Sequence, residues 1–338
     1  MNIPIIDPFG VLADAKMPFL AQALDPSLTQ SLLAKGCQDW AERPEKIELQ
    51  GIRVLRYKPG RRCLIEYQLS APHLPAKSVI ILGKIRAKGL DKKCFELMQT
   101  LWRGEFGCLN EDGLRVPQPL GVVPPFQMWL QAKVPGAPAT ALLAEAEGAN
   151  LSRRIAEGIH KLHRLNLPAS RTHRIGDELQ ILRERLALVA QTRPEWSGRL
   201  EKLLAACERL AATTPETVLR GIHRDFYPAQ VLVDGRDLYF LDFDLFCQGD
   251  PALDVGNFLG HVIEQNLRLL DDPHALRESE IAFKERFLDL SPTVSRSAVE
   301  AYTTLTLVRH IYLSTQFPER HRCTEALLKL CEEKLGSP

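Results

Sequence analysis

Residues 221–254 read GIHRDFYPAQVLVDGRDLYFLDFDLFCQGDPALD, and the rest of the chain is organised around them. Two short apolar runs, Val231-Leu232-Val233 and Leu238-Tyr239-Phe240-Leu241, flank Asp234-Gly235, a dipeptide suited to the tight turn of a hairpin. Carboxylates stand where each strand gives way to a loop: Asp225 before the first run, Asp242 and Asp244 after the second. Side chains alternate across a strand, so Asp242 and Asp244 are expected on one face. A hairpin folding back on itself brings Asp225, Gln230 and Asp242 together. Acidic groups crowded in this way repel one another unless a cation or a proton is shared. The ligand atoms on offer are all oxygens, which suits Mg2+. A single Asp in such a place is ordinarily a solvated surface acid; the ordered set argues for chemistry.

His223-Arg224-Asp225 followed by Gln230 resembles the catalytic loop H-x-D-x-x-x-x-N of protein-kinase-like folds. Leu241-Asp242-Phe243-Asp244, then Gly249-Asp250-Pro251 and Asp254, is similar more specifically to the aminoglycoside phosphotransferase and choline kinase family, which carries an I-D-W/F-E metal motif followed by G-D-P-x-x-D. Each element is short, but three in order at the expected spacing rarely coincide. The resemblance implies an α+β, bilobal protein-kinase-like fold: an N-terminal five-stranded antiparallel sheet with one helix, and a larger, mainly helical C-terminal lobe. It implies ATP- and Mg2+-dependent phosphorylation of a hydroxyl on a small molecule. Asp225 would be the base that accepts the hydroxyl proton. Asp242 would hold the metal, with Gln230 and Asp244 as further metal residues. His223 and Asp254 would be buttresses that orient the loop. Such a set answers a physical need, because phosphoryl transfer is mostly positioning plus neutralisation of charge on the phosphate oxygens.

Gln230 departs from the family pattern, which has Asn. Its amide oxygen is the same ligand atom one methylene further from the backbone, and Mg2+ demands oxygens at about 2.0–2.1 Å in near-octahedral geometry. The departure keeps a second reading open, a nucleotide-binding pseudokinase with a regulatory or scaffold role, and beside it a structural protein on the same fold. A D-F-G motif and an A-P-E segment are both absent, which favours a small acceptor over a protein one.

Outward from this stretch, 338 residues suit two lobes rather than one small core. Composition is that of an ordinary globular protein, with 45% apolar and 25% charged residues, and the net charge of +1 gives no reason to propose nucleic acid or a membrane as partner. Eight cysteines form no C-x-x-C pair, so reduced thiols and a cytoplasmic location are expected. The start, MNIPIIDPFG, lacks the basic flank and apolar core of a signal peptide, and no run approaches a membrane span.

Residues 1–44 read as a helical extension packed over the first sheet, with helices at Ala15–Leu24 and Ser27–Trp40 separated by Asp25-Pro26. The N-lobe is expected at 45–133 and the C-lobe at 134–338. Strand periodicity begins at Ile47, and Lys58-Pro59-Gly60-Arg61-Arg62 reads as a basic hairpin turn. That turn is either solvated or, as the resemblance implies, laid over nucleotide phosphates with Arg61 in contact. Lys84, near the end of the apolar run 78–85, must reach solvent or find a partner. It resembles the strand lysine that contacts the α- and β-phosphates, and Glu96 on the following helix is either its ion-pair partner or a solvated acid. Met128–Gly136 is similar to the family's strand and adenine-binding hinge, with Met128 and Leu130 as the hinge residues. Ile159–His163 is similar to the helix that precedes the catalytic loop, with His163 read as a core hydrogen-bonder. The acceptor and the oligomeric state are not legible.

Overall fold

The computed structural model describes residues 3–37, 48–70 and 78–336, which divide into two compact units. One runs to Pro135 and includes Asp234–Leu241; the other comprises Gly136–Val233 and the chain from Asp242 onward. The division falls just after the expected boundary at 133/134, residues 1–44 are part of the first unit, and Asp234–Leu241 lies outside the expected C-lobe.

The first unit opens with β1 (Ile5–Ile6), α1 (Phe19–Ala23) and α2 (Pro26–Gly36), followed by β2 (Glu48–Lys58), β3 (Arg62–Ser70), β4 (Ser78–Arg86) and α3 (Lys92–Arg103). Then come β5 (Leu114–Arg115), β6 (Pro119–Val123) and β7 (Met128–Ala132). Among the described residues the main sheet has six strands in the order β1-β2-β3-β4-β7-β6, rather than the five expected. The extra strand is β1, which pairs parallel to β2 through Ile5 and Ile52; two residues are too few for a period to show. Leu114-Arg115 is not in this sheet and pairs in parallel with residues 238 and 239.

Alternation explains the core. Cys63, Ile65, Tyr67 and Leu69 of β3 are buried and face the extension, where Leu20, Ala23 and Leu33 complete one apolar cluster with Ile52 and Val54. Tyr67 Oη donates to the Ala23 carbonyl at 3.1 Å, so the extension is fastened to the sheet as well as packed on it. Asp25 caps α2 by accepting from the Leu28 N–H at 2.7 Å, and Pro26 occupies the first turn. Residues 38–40 of the expected second helix, and Ile47, lie outside the described residues.

The second unit contains β8 (Ala137–Pro138), α4 (Ala139–Leu142), α5 (Gly148–Arg164), β9 (Thr172–His173), α6 (Ile175–Thr192) and α7 (Ser197–Thr213). These are followed by β10 (Arg220–Ile222) and β11 (Val231–Asp234); β12 (Asp237–Phe240) comes next in the chain but belongs to the first unit, where it pairs with β5. β13 (Cys247–Gly249), α8 (Pro251–Leu270), α9 (Arg277–Leu290), α10 (Arg296–Gln316) and α11 (Thr324–Lys334) complete the chain. α8 is buried along almost its whole length. It lies so close to α10 that a Cβ on Gly256 would come within 2.6 Å of the Thr303 backbone nitrogen, so only glycine permits the approach. Among the described residues no helix is long and apolar enough to cross a membrane.

Candidate active site

Two three-residue strands build the site in the second unit. β10 and β13 are antiparallel, with Ile222 opposite Cys247. The chain leaving Ile222 toward Asp225 and the chain arriving from Asp242 and Asp244 at Cys247 are therefore at the same end of this pair. The His223 ring lies 4.8 Å from the ring of Phe243, which ties the two loops together between Asp225 and Asp242 in an apolar seam. Asp225 is partly buried, and among the described residues none donates a hydrogen bond to its carboxylate. That leaves its oxygens open to a substrate.

The G-D-P-x-x-D segment acts as a splint under this loop. Asp250 is the N-cap of α8, accepting from the Ala252 N–H at 2.8 Å, and Pro251 starts the helix. One turn on, fully buried Asp254 faces back toward β10. Its Oδ2 accepts from the His223 N–H at 2.8 Å and from His163 Nε2 at 2.8 Å, and its Oδ1 accepts from the Arg224 N–H at 2.6 Å. Asp254 is the buttress expected of it, and His163 is the buried hydrogen-bonder expected of it.

The splint has a partner that the sequence reading missed. Asn257, three residues after Asp254, donates its amide to the Arg224 carbonyl at 2.6 Å. Its Oδ1 accepts from Arg309 at 2.8 Å and from Thr306 at 2.8 Å. Arg309 in turn pairs with buried Glu178, which His173 contacts at 2.6 Å. Burial alone would raise the Glu178 carboxyl, but Arg309 and His173 outweigh it and hold it below the usual range. Arg224, just before Asp225, adopts φ 71°, a left-handed conformation costly for a residue with a side chain. Asp254 and Asn257 hold its N–H and its C=O, and so keep it there. The spacing Asp254/Asn257, i to i+3 on one helix face, was the available signal.

Burial pushes the Asp250 carboxyl up to about 6 against the pull of the Ala252 N–H and His163. Because the folded chain binds this proton more tightly than the unfolded chain, the contribution to stability is full below about pH 4 and is lost as pH rises through about 6. Asp250→Asn keeps the cap and removes the titration. It is expected to flatten the decline in folding free energy between pH 4 and 7 by about 2–3 kcal/mol, measured by urea denaturation across that range. An unchanged pH slope in the variant counts against this.

Asp242 also has a left-handed backbone, φ 59°, and it precedes a single 3-10 turn, Phe243–Leu245. The strand ends at Phe240, so the expected alternation that set Asp242 and Asp244 on one face does not apply; a turn presents them instead. Gln230 ends another 3-10 turn, Pro228–Gln230, and its side chain is buried. Its amide nitrogen donates to Tyr227 Oη at 3.2 Å. The carboxylates of Asp242 and Asp244 and the amide oxygen of Gln230 offer oxygen atoms only, the ligand chemistry that Mg2+ takes.

The nucleotide candidates lie in the first unit. Lys84 Nζ stands 5.3 Å above the Trp129 ring, against which the ring of Phe95 of α3 also packs. Glu96 is exposed on α3, and among the described residues it joins no ion pair, so it does not meet Lys84. Arg61 is exposed at the β2–β3 turn. The turn is tied to the extension: Asp14 accepts from the Gly60 N–H at 2.6 Å and from Tyr57 Oη at 2.8 Å. These bonds hold the Asp14 carboxyl below its usual range, and burial with Asp14 beside it pushes Tyr57 up to about 12. Met128 and Leu130 are fully buried in β7, the strand part of the expected strand and hinge, which runs between β4 and β6.

The model of the phosphotransferase enzyme family matches residues 103–284. The chain belongs to that family. No curated protein matches it in sequence. The fold of this family member is shared with solved structures of small-molecule kinases. A choline kinase from Cryptosporidium parvum Iowa II superposes with a TM-score of 0.60 at 15% identity, over 92% of this chain and 95% of that one. A hygromycin-bound, thermostable aminoglycoside phosphotransferase superposes with 0.56 at 14%, over 86% and 95%. A spectinomycin phosphotransferase holding ADP and spectinomycin gives 0.54 at 11%, over 88% and 94%.

Proposed function

We propose that this phosphotransferase moves the γ-phosphoryl group of ATP to a hydroxyl of a small molecule, with Asp225 as base and Mg2+ as the metal. The observation that supports the reading is that the segment bearing Asp225 and the segment bearing Asp242 and Asp244 meet the β10–β13 pair at the same end. Open to solvent and held by the splint, Asp225 takes the proton of the attacking hydroxyl as the new oxygen–phosphorus bond forms and the bond to the departing ADP breaks. Asp242, Asp244 and Gln230 would hold the metal, which when bound neutralises charge on the phosphate oxygens. Lys84 would bind phosphate oxygens as a point charge, and Arg61 lies on the exposed turn that would cover them. Relatives by fold that hold ADP, spectinomycin or hygromycin support a nucleotide and a hydroxylated acceptor of modest size.

A thermal-shift titration tests this directly. ATP with Mg2+ is expected to raise the melting temperature by several degrees, and ATP with a chelator by much less, because a ligand that binds only the folded state stabilises it in proportion to its occupancy. A panel of aminoglycosides, choline-like amino alcohols, homoserine-like amino acids and sugars is then expected to contain an acceptor that accelerates ADP production. Stabilisation without any such acceptor favours the pseudokinase reading. No stabilisation under any condition rejects both.

A further inference from the structure

Gln230 is longer than the Asn that the family pattern has at its position, and a longer arm needs a restraint to present its oxygen in one place. An amide has chemically opposite ends, a nitrogen that donates and an oxygen that accepts. At Gln230 the nitrogen is committed, bonded to Tyr227 Oη at 3.2 Å. The side chain is also 7% exposed, so it has few other conformations open to it. Main chain closes the same turn, with the Gln230 N–H donating to the Tyr227 carbonyl at 2.8 Å.

Tyr227 is itself fixed. Its ring lies face to face with His261 of α8, centroids 4.4 Å apart and planes 14° apart. His261 meets His310 of α10 edge-on at 4.4 Å. Burial, with Arg309 and Arg320 nearby, holds both imidazoles well below their ordinary range.

We infer that Tyr227 is a positioning residue: its hydroxyl anchors the Gln230 amide nitrogen and thereby turns the amide oxygen out as a metal ligand, compensating for the extra methylene. This rests on the reading of Gln230 as a metal residue given above. A shorter Asn arm would not reach Tyr227 and would not need it.

The test is the Mg2+ concentration giving half-maximal thermal stabilisation in saturating ADP, a readout that requires no acceptor and no turnover. Tyr227→Phe removes only the hydroxyl and keeps the ring on His261. It is expected to raise the Mg2+ midpoint about 3–10-fold, the scale of one lost hydrogen bond. In a Gln230→Asn background the same change is expected to shift the midpoint less than about 1.5-fold, because the bond is already gone. Equal shifts in both backgrounds, or no shift in Gln230 itself, overturn the inference. Gln230→Ala separates the two levels of argument. If it raises the midpoint while Tyr227→Phe does not, only the role of Tyr227 fails. If Gln230→Ala leaves the midpoint unchanged, the metal role of Gln230 fails and the inference falls with it.

Discussion

Asp225→Ala is expected to lower phosphoryl transfer by about 10²–10⁴-fold while the Mg2+- and nucleotide-dependent rise in melting temperature persists. The reasoning is local. Among the described residues nothing donates to the Asp225 carboxylate, so removing it orphans no buried donor and breaks no support for the loop. Arg224 remains clamped by Asp254 and Asn257, and the apolar seam of His223 and Phe243 remains in place. What is lost is the acceptor for a proton that is released only as the hydroxyl attacks. Such a group contributes to the transfer step and not to nucleotide binding, so the loss appears in kcat and not in the nucleotide-induced shift. Rates of ADP production with the acceptor found in the screen, set beside thermal shifts of the same samples, check both halves. Turnover above a tenth of wild type would assign the base elsewhere. Equal loss of turnover and of the nucleotide-induced shift would make Asp225 part of the metal site instead.

How far the sequence could be read depended on the length over which each feature repeats. Strand β3 was legible because Cys63, Ile65, Tyr67 and Leu69 alternate over a long run, and all four are buried. The splint was legible because a cap, a first-turn proline and an acid one turn on each have a local reason to stand where they do. β1, β10 and β13 were not legible, since two or three residues carry no period, yet the β10–β13 pair is what gathers the site. Alternation misplaced Asp242 and Asp244 because the strand stops at Phe240 and Asp242 turns left-handed. The strand that carries Met128 and Leu130 was legible from its apolar run, but its place between β4 and β6 depends on strand order, a non-local property. Asn257 was missed although its spacing from Asp254 announced it; Arg309 reaches it from α10, backed by Glu178 of α6 and through that by His173 of β9, with no local signal.

Asp254→Ala, by contrast, is expected to lose stability and activity together. Asp254 is fully buried and satisfies three donors, His163 Nε2 and the N–H groups of His223 and Arg224. Alanine would leave all three without this partner, those of His163 and His223 buried, at a cost of about 3–5 kcal/mol and a fall in melting temperature of roughly 10 °C. Arg224 at φ 71° would lose one of its two holds, and relaxing toward an ordinary backbone would carry Asp225 with it. Activity in the surviving folded fraction is therefore expected to fall as well, by a factor that Asp225→Ala does not increase further in the double variant. Asp254→Asn is expected to be intermediate. An amide oxygen can still accept, but its NH2 end would face at least one N–H that also donates, and a backbone N–H has no alternative role. Melting temperatures of the two variants, with ADP production normalised to folded protein, decide the matter. Asp254→Ala melting within about 2 °C of wild type would mean that water replaces the carboxylate. The bonds to His223 and Arg224 would then report where the loop lies without being what holds it there.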